Sequence, residues 1–521
     1  MGLASIDYVI VVVYGICLIA IATLVSRPKA GHARDTEDYF LAGKALPWWA
    51  IGASLIAANI SAEQVIGMSG SGYAIGLAIA SYEWMAAITL VIVGKFFLPI
   101  FLEKRIYTMP QFLEQRYDGS VRAVMAVFWL GVFTFVNLTS ILWLGALTIN
   151  TVTGFDLSSC LIGLAMFTAA YSLYGGLKAV ALTDIIQVTM LIAGGLLISY
   201  LSLNAVSEGN GALAGFARLM EIAPGKFDMI LSRDDPNYRF LPGLSVLIGG
   251  MWIMNLSYWG FNQYIIQRAL AAKDLHEAQK GILFAAFLKL VIPVLVVFPG
   301  IAAFVLAPDL QRADQAYPTM MSLAPVGVRG LILAALIAAI VSSLGSMMNS
   351  IATIFTIDLF KPVRPHASER SLVTIGRSVA LSALIIAAIA ARPLLGEAEQ
   401  AFQWLQEFTG FFTPGVVTLF VLGMFWERAT ARGAFAAAIG SALFSLLFKI
   451  FLPELPFMNR VGFVFLLCVA VAVVVSLMHG GPKRHPKAIR VEDIDFRTRP
   501  AFNIAGALVA AILTGLYWYW W

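Results

Sequence analysis

The stretch from Gly52 to Gly76 combines an apolar sequence with polar side chains that a helix merely crossing lipid would not carry. The polar side chains follow one another closely in its middle, at Asn59, Ser61, Glu63 and Gln64. Several glycines come next, so we expect this helix to be interrupted near the bilayer midplane. Interrupted backbone at that depth survives only where it lines a cavity walled by protein. Transporters use such breaks to direct free carbonyls at a cation and polar side chains at a substrate.

Polar side chains with complementary hydrogen-bonding roles lie in several apolar segments. They are Gln64, Glu83, Asn255, Lys289 and Gln406. A carboxylate accepts hydrogen bonds, an ammonium donates them, and amides do both. Such a set suits an uncharged ligand with many hydroxyls, although each residue alone is equally suited to an interhelical hydrogen bond. Glu83 and Lys289 are also candidates for a mutual ion pair, which would lower the cost of holding both charges in a membrane.

The composition identifies the class of protein to which these segments belong. Of the 521 residues, 60% are hydrophobic and 12% are charged, and the mean hydropathy is +0.83. Soluble globular proteins of this size do not have such a composition. The three cysteines all lie in apolar runs, which argues against a disulfide framework. The net charge of +5 is spread over short loops, so no nucleic-acid partner is expected.

Apolar segments long enough to cross a bilayer recur along the whole chain. A crossing helix needs about 20 residues, and about fourteen segments reach that length. They are 6–26, 47–74, 78–103, 121–150, 158–175, 179–203, 243–266, 277–307, 327–359, 371–391, 397–426, 430–452, 460–478 and 501–521. The sequence therefore predicts an all-α, multi-pass membrane protein, with the lipid bilayer as its surroundings.

The distribution of lysine and arginine predicts the orientation. If the amino terminus lies outside, most of the 35 lysine and arginine residues fall in inner loops. Loops rich in these residues stay on the inner side. We therefore expect both termini on the outer side of the plasma (inner) membrane, with an even number of spans.

A second interruption is predicted in the segment 243–266, where Asn255, Ser257, Tyr258 and Trp259 stand beside Gly260. Two broken segments about 200 residues apart, in corresponding positions, indicate an inverted repeat around a central site. The predicted division has five parts, namely a first transmembrane helix with an inner loop (1–46), inverted repeat 1 (47–203), an outer loop with a surface helix (204–242), inverted repeat 2 (243–426) and three additional transmembrane helices (427–521).

Four motifs then resemble a known family. They are Tyr39 to Tyr73, Tyr171 to Gln187, Tyr258 to Ala272 (YWGFNQYIIQRALAA) and Ala338 to Ser350 (AAIVSSLGSMMNS). Together they resemble the sodium/solute symporter family. The resemblance implies a leucine-transporter-type five-plus-five inverted repeat with two broken helices. It also implies a secondary active symporter that couples inward sodium flow to uptake of a monosaccharide such as galactose or glucose. Another polyol or small organic solute is the alternative substrate.

The resemblance implies a sodium site built from neutral oxygens, the ligands that a hard cation prefers. Its carbonyls would come from Ala57, Ile60 and Ala339, and its hydroxyls from Ser342 and Ser343. The other interpretation is that these small residues merely let helices pack closely. Asp184 would lie on the inward sodium path, although pairing with a nearby serine or lysine is nearly as good an explanation. Sodium would be co-transported, and no organic cofactor is expected.

The resemblance also implies roles for polar and aromatic residues around the sugar. The substrate contacts would be Gln64, Glu83, Asn255, Tyr258, Lys289 and Gln406. Tyr258 would stack on the sugar and close the inner side beside Trp259, with Asn137 holding that tyrosine in place. Met68, Tyr82 and Phe402 would form the outer gate. Aromatic residues in spans are more often simple packing, and Asn137 would equally serve as an interhelical hydrogen bond.

One departure from the family motif concerns specificity. Ala86 stands where a sugar-transporting relative has a serine. On a helix, residues three apart lie on one face, so Ala86 is expected to face the same cavity as Glu83. One sugar hydroxyl contact would then be missing, and the sequence does not indicate which sugar is preferred.

An enzyme and a channel are the competing classes. His276 and Glu277 begin like a zinc-binding helix, but no second histidine follows. The run from Gly67 to Ser71 narrowly misses a nucleophile elbow, and no histidine lies deep in a span to serve as a base. A channel has no need of a binding-grade cluster of amides, acid and lysine. The chain is therefore predicted not to be an enzyme, and its activity does not require an oligomer.

Overall fold

The computed structural model describes residues 3–25, 46–106, 108–398, 400–479 and 485–521. At 18–19, 21–25, 171 and 173–185 the description is confined to the backbone. Part of the first motif, Tyr39 to Ala45, lies outside the described residues.

The described part is built from helices and carries no strand. The helices of the first half are α1 Ser5–Val25, α2 Trp48–Asn59, α3 Glu63–Ala74, α4 Leu77–Glu103, α5 Met109–Arg116, α6 Gly119–Thr153, α7 Leu157–Val206 and α8 Ala212–Ile222. Those of the second half are α9 Leu244–Ile248, α10 Gly250–Phe261, α11 Gln263–Leu270, α12 Leu275–Leu306, α13 Ala316–Met321, α14 Val328–Val363, α15 Glu369–Leu395, α16 Ala401–Gly410, α17 Thr413–Phe425, α18 Ala431–Phe451, α19 Phe457–Met478 and α20 Pro500–Tyr519.

The predicted all-helical membrane class is confirmed. Within the described residues, nine helices are long and apolar enough to cross a membrane, and the number is eleven if each of two bent pairs is one span. The remaining predicted spans fall on shorter helices, namely Ser5–Cys17, Leu157–Ala170 and the segment of α9 to α11. The count of fourteen spans stays a prediction.

The first predicted interruption is confirmed. α2 ends at Asn59, α3 begins at Glu63, and the two helices meet at an angle of 61°. Ile60 leaves the helical conformation with ψ 82°. The amide of Ser61 then donates to the carbonyl of Asn59 at 2.8 Å, so the carbonyl of Ala57 lacks the partner that a continuing helix would supply.

The second interruption lies elsewhere than predicted. Asn255, Ser257, Tyr258 and Trp259 all lie within the helix α10, and the chain leaves the helical conformation at Gly249 and Asn262. Polar side chains can stay in a helix because the backbone hydrogen bonds of the helix do not depend on them. The helix ends only at Asn262, whose backbone is extended with ψ 121°.

A further bend divides the predicted span 397–426. α16 and α17 meet at 48°, and Pro414 stands at the start of the second helix. Proline cannot donate the amide that a continuing helix requires. This bend places Thr409 and Thr413 on either side of a corner.

The segment α7 is helical over 50 residues, where two spans were predicted. Its two ends nevertheless pack on the same helix. Leu164 lies beside Ile340 near Gly145, and Gly194 faces Ile332. Those two isoleucines are about 12 Å apart along α14, whereas a straight helix would separate residues 164 and 194 by about 45 Å. The segment therefore has two arms, which is in keeping with two spans.

The connection between α7 and α9 covers one end of the bundle. The predicted surface helix is present as α8. Lys226 donates to the carbonyls of Tyr73 and Ala74 at 3.0 and 2.7 Å, which satisfies the end of α3. The amide of Met229 donates to the carbonyl of Trp520 at 2.8 Å, so the connection also attaches to the last helix.

Glycines allow α12 to approach both halves of the broken helix. A Cβ on Gly300 would stand 2.1 Å from the carbonyl oxygen of Ser69, and one on Gly72 would stand 2.8 Å from that of Val297. Backbones in such contact leave no room for a side chain. The position of α3, and hence of the break, depends on these glycines.

We expect Gly300→Ala to destabilise the protein because the added methyl must push α12 and α3 apart. Overpacking of this kind costs about 1–3 kcal/mol or more. Gly163→Ala is the matched control, since nothing lies within 4 Å of that Cβ and the change favours a helix. The measurement is the thermal unfolding midpoint of the purified protein in detergent. Equal midpoints for the two variants would contradict the close contact.

Candidate functional site

A cavity of about 70 Å³ lies beside the break in the first broken helix. At the roughly 30 Å³ that each water occupies in the liquid, this space holds about two water molecules. Its walls come from α2 to α4, α10 and the bent pair α16 and α17. The lining residues are Asn59, Gln64, Tyr82, Glu83, Met254, Asn255, Ser257, Tyr258, Trp259, Asn262, Phe402, Gln406, Thr409 and Thr413.

The cavity brings together residues that are far apart in the sequence. Of the six predicted substrate contacts, five line it, namely Gln64, Glu83, Asn255, Tyr258 and Gln406. They stand on four different helices. Such convergence of amide, carboxyl and hydroxyl groups favours one shared ligand over a set of separate interhelical hydrogen bonds.

Lys289 does not line the cavity but lies behind it. Its ammonium donates to the carboxylate of Glu83 and to the side-chain oxygen of Asn59. The same nitrogen lies 4.9 Å from the centre of the Trp259 ring. Lys289 is fully buried and Glu83 is 3% exposed. The predicted pair between Glu83 and Lys289 is therefore confirmed, whereas direct contact of Lys289 with a ligand stays a prediction.

Asn59 connects this ion pair to the second broken segment. Its side-chain amide donates to the hydroxyl of Tyr258 at 3.0 Å, and that hydroxyl also pairs with Tyr264. Tyr258 was expected to be held by Asn137. Asn137 instead lies buried in the π-helical turn of α6, and its carbonyl accepts from Ser140 at 3.0 Å. The observed hydrogen bonds of the Tyr258 hydroxyl are with Asn59 and Tyr264, and the role of Asn137 stays a prediction.

Arg268 is a site-supporting residue that the sequence analysis did not single out. The structure buries it completely between three helices. Its guanidinium donates to Ser54 of α2 at 3.0 Å and to Ser346 of α14 at 2.9 Å. It therefore holds the two elements of the predicted sodium site together. The run of polar residues after Asn262 was the only signal for this role, and it looks the same as the end of a span.

Two aromatic clusters enclose the cavity. Tyr82 and Phe402 pack edge to face with ring centres 5.2 Å apart. Tyr258 and Trp259 pack in the same manner at 5.1 Å. Met68, the third residue predicted for the outer gate, is fully buried but is not part of the lining. The four aromatic side chains in these two clusters thus form part of the cavity wall.

The helix that carries three of the residues predicted to bind sodium packs against the first half of the broken helix. α14 carries Ala339, Ser342 and Ser343, all buried, and packs against α2. The hydroxyl of Ser343 is buried and has no hydrogen-bond partner among the described residues. A buried hydroxyl without a partner is costly, and a cation would supply one. Together with the carbonyl of Ala57, this neutral oxygen set fits a hard monovalent cation.

Two other predictions have different outcomes. The side chain of Asp184 lies outside the described part, so its place on a sodium path stays a prediction.

Ala86 is buried and does not line the cavity, which contradicts the expectation that it faces the ligand. Its direction differs from that of Glu83 by about 60° around the helix, and its methyl is too short to reach across that angle.

The motifs of this chain are shared with a known protein family. The sequence profile of the sodium:solute symporter family matches residues 39–440. The chain belongs to this family. Its members are sodium-coupled transporters rather than enzymes, so the enzyme class is excluded. This family membership also accounts for sodium as a co-transported ion.

Individual relatives cover most or all of the chain. It is 50% identical to the sodium/glucose cotransporter of Vibrio parahaemolyticus, over 100% of this chain and 99% of that protein. It is 36% identical to sodium/myo-inositol cotransporter 2 of Mus musculus, over 79% of this chain and 66% of that protein. Among solved structures, a Na⁺-coupled sialic acid symporter in a substrate-bound outward-open state matches with a TM-score of 0.79 and 23% identity, covering 91% of this chain and 98% of that one. This structural likeness shows that this chain has the same fold as the sialic acid symporter.

The buried pair of Glu83 and Lys289 predicts a non-additive response in stability. Removal of one partner from a buried pair leaves an uncompensated charge and costs about 3–5 kcal/mol, whereas removal of both is far less costly. We therefore expect Glu83→Gln and Lys289→Met each to lower the unfolding midpoint in detergent strongly, and the double variant to regain more than half of the loss.

The control for this cycle is the exposed pair Glu208 and Arg218, whose atoms lie 2.9 Å apart. Exposed pairs contribute about 0–1 kcal/mol, so Glu208→Gln and Arg218→Met should change the midpoint little. Additive losses at Glu83 and Lys289 would show that the two groups are not paired in the folded protein.

Proposed function

We propose that this family member couples inward sodium flow to the uptake of a monosaccharide such as galactose or glucose. The observation that carries the proposal is the convergence of Gln64, Glu83, Asn255 and Gln406 on one cavity beside the helix break. The set offers donors and acceptors without a free charge, because Lys289 is already paired with Glu83. That chemistry suits an uncharged polyhydroxy ligand, and the relative in Vibrio parahaemolyticus is a sodium/glucose cotransporter.

The alternative substrate is another polyol or small organic solute. The relative in Mus musculus is a sodium/myo-inositol cotransporter, and inositol has hydroxyls of the same kind. A sugar ring and an inositol ring present similar hydrogen-bonding groups, so the cavity walls Thr409, Thr413 and Met254 would decide between them. A transport panel must therefore include both.

Sodium would bind at the break, to the carbonyls of Ala57, Ile60 and Ala339 and the hydroxyls of Ser342 and Ser343. Two facts support this assignment: the carbonyl of Ala57 lacks its helical partner, and the hydroxyl of Ser343 is buried without one. The ligands are neutral, so each bound ion brings a full positive charge. Inward movement of that charge gains about 2.3 kcal/mol for each 100 mV of membrane potential.

Alternating access would use the two aromatic clusters as gates. Tyr82 and Phe402, with Met68 behind them, would close the outer side, and Tyr258 with Trp259 would close the inner side. We assign both termini to the outer side of the inner membrane, from the distribution of Lys and Arg. The inverted repeats would be 47–203 and 243–426, in an arrangement of about fourteen spans that works as a single chain.

The experiment is uptake of a labelled panel into proteoliposomes, with galactose, glucose and myo-inositol each tested under sodium, potassium and proton gradients. We expect accumulation of at least one monosaccharide only with an inward sodium gradient. Uptake driven equally well by potassium or protons would contradict the sodium assignment. Accumulation of myo-inositol alone would show that the substrate is a polyol and not a monosaccharide.

Ser343→Ala should raise the half-saturating sodium concentration while the protein still folds, because it removes one oxygen ligand. Loss of one such contact costs about 1–3 kcal/mol, and 1.4 kcal/mol corresponds to about tenfold in affinity. Ser350→Ala is the control, since Ser350 lies on the same helix and its hydroxyl already donates to the carbonyl of Ser346 at 3.1 Å. An unchanged sodium requirement in Ser343→Ala would remove this serine from the site.

A further inference from the structure

Asp314 is a buried carboxyl group outside the membrane-spanning helices. It lies in a short 3-10 turn, Ala313–Gln315, on the connection between α12 and α14, and it is 2% exposed. One carboxyl oxygen accepts from the amide of Ala401 at 3.1 Å, and the other has no hydrogen-bond partner in the described part. Ala401 is the first residue of α16, the helix that carries Phe402 and Gln406 into the cavity.

The turn also lies directly on the outer half of the broken helix. A Cβ on Gly70 would stand 2.5 Å from Oδ1 of Asp314 and 2.8 Å from its Cα. One on Gly67 would stand 3.0 Å from the Cβ of Phe402. The turn around Asp314, the helix α3 and the start of α16 therefore meet without intervening side chains. A movement of any one of them changes the other two.

Neighbouring groups fix the chain that leads into α16. Arg312 donates to the carbonyl of Ala398 at 3.3 Å and also to that of Gly396. Ser71 donates to the side chain of Gln400 at 3.3 Å. Asp314 completes this set by holding the first amide of the helix itself.

We propose that Asp314 is a positioning residue that sets the closed position of Phe402 over the substrate cavity. The inference rests on the proposed function, in which Tyr82 and Phe402 form the outer gate. Opening that gate requires α16 to separate from α3, which breaks the bond between Asp314 and Ala401 and exposes the carboxyl group to water.

Burial gives this contact a pH dependence. Loss of hydration raises the pKa of Asp314 to about 7, while its bond to Ala401 and the charge of Arg312 act in the opposite direction. An exposed carboxyl in the open state would have a lower pKa, so the closed state binds the proton more tightly. Falling pH below about 7 therefore stabilises the closed gate, and rising pH favours opening until the effect levels off above about 7. The other titratable side chains on the elements packed around the turn or on the gate helix are Glu63, Tyr73, Tyr317 and Glu407.

The test is the half-saturating sodium concentration for sugar uptake, measured between pH 6 and pH 8 with the same pH on both sides of the membrane. In the wild type this concentration should rise by up to about tenfold towards pH 6, because protonation favours the closed state. Asp314→Asn stays neutral but keeps an acceptor for Ala401. Its profile should be flat, at the level that the wild type has at low pH.

Two further variants separate this role from general stability. Asp156→Asn changes an exposed helix-capping aspartate that accepts from Ser159 at 3.0 Å, and it should keep the wild-type profile. Arg312→Gln removes the charge that lowers the pKa of Asp314, so its profile should shift to higher pH, whereas Arg312→Lys should restore the wild-type midpoint.

A wild-type pH dependence that persists in Asp314→Asn overturns the inference while leaving sodium-driven uptake intact. An unchanged or lower pH midpoint in Arg312→Gln also overturns the inference. This second test needs no Asp314 variant, so it decides the question even if Asp314→Asn fails to fold. A wild-type chain without sodium-driven sugar uptake at any pH contradicts the proposed function and this inference together.

Discussion

A helix that stops inside an apolar segment leaves backbone groups that lipid cannot satisfy. The break after Asn59 creates that problem, and much of the surrounding structure answers it. Ser61 accepts from the amide of Glu63 at 3.2 Å, and its own amide turns back to Asn59. The carbonyl of Ala57 is left without its helical partner. Such a carbonyl is tolerable only beside water or a cation, so the fold and the transport chemistry depend on the same break.

The carboxylate that lines the cavity has its charge balanced inside the bundle. Glu83 and Lys289 neutralise each other, and Asn59 joins that pair to Tyr258. The predicted sodium ligands are all uncharged. A cation that enters this site adds a positive charge, and its field reaches the hydrogen-bond network through Asn59, the last residue of the first half of the broken helix. This connection gives a physical route by which an ion and a substrate would influence each other.

Much of this arrangement could be predicted from the residue pattern, because polar groups in apolar segments have few places to go. The first break followed from that argument, and the convergence of Gln64, Glu83, Asn255 and Gln406 was implied by the family resemblance. The direction of the Lys289 ammonium followed from neither, since an ammonium between a carboxylate and a cavity can point either way. Arg268 escaped notice because a buried arginine and a loop arginine look alike at the end of a span. The second break was misplaced because polar residues such as Ser257 fit within a helix, while Asn262 alone ends it.

The central claim is that the break couples a sodium ion to an uncharged substrate, and coupling of binding must be reciprocal. The most direct measurement is a pair of titrations on the purified protein by calorimetry, one of sugar at low and saturating sodium and one of sodium with and without sugar. We predict that sodium tightens sugar binding by some factor and that sugar tightens sodium binding by the same factor. Sugar affinity that does not change with sodium, in a protein that binds both, would contradict the account.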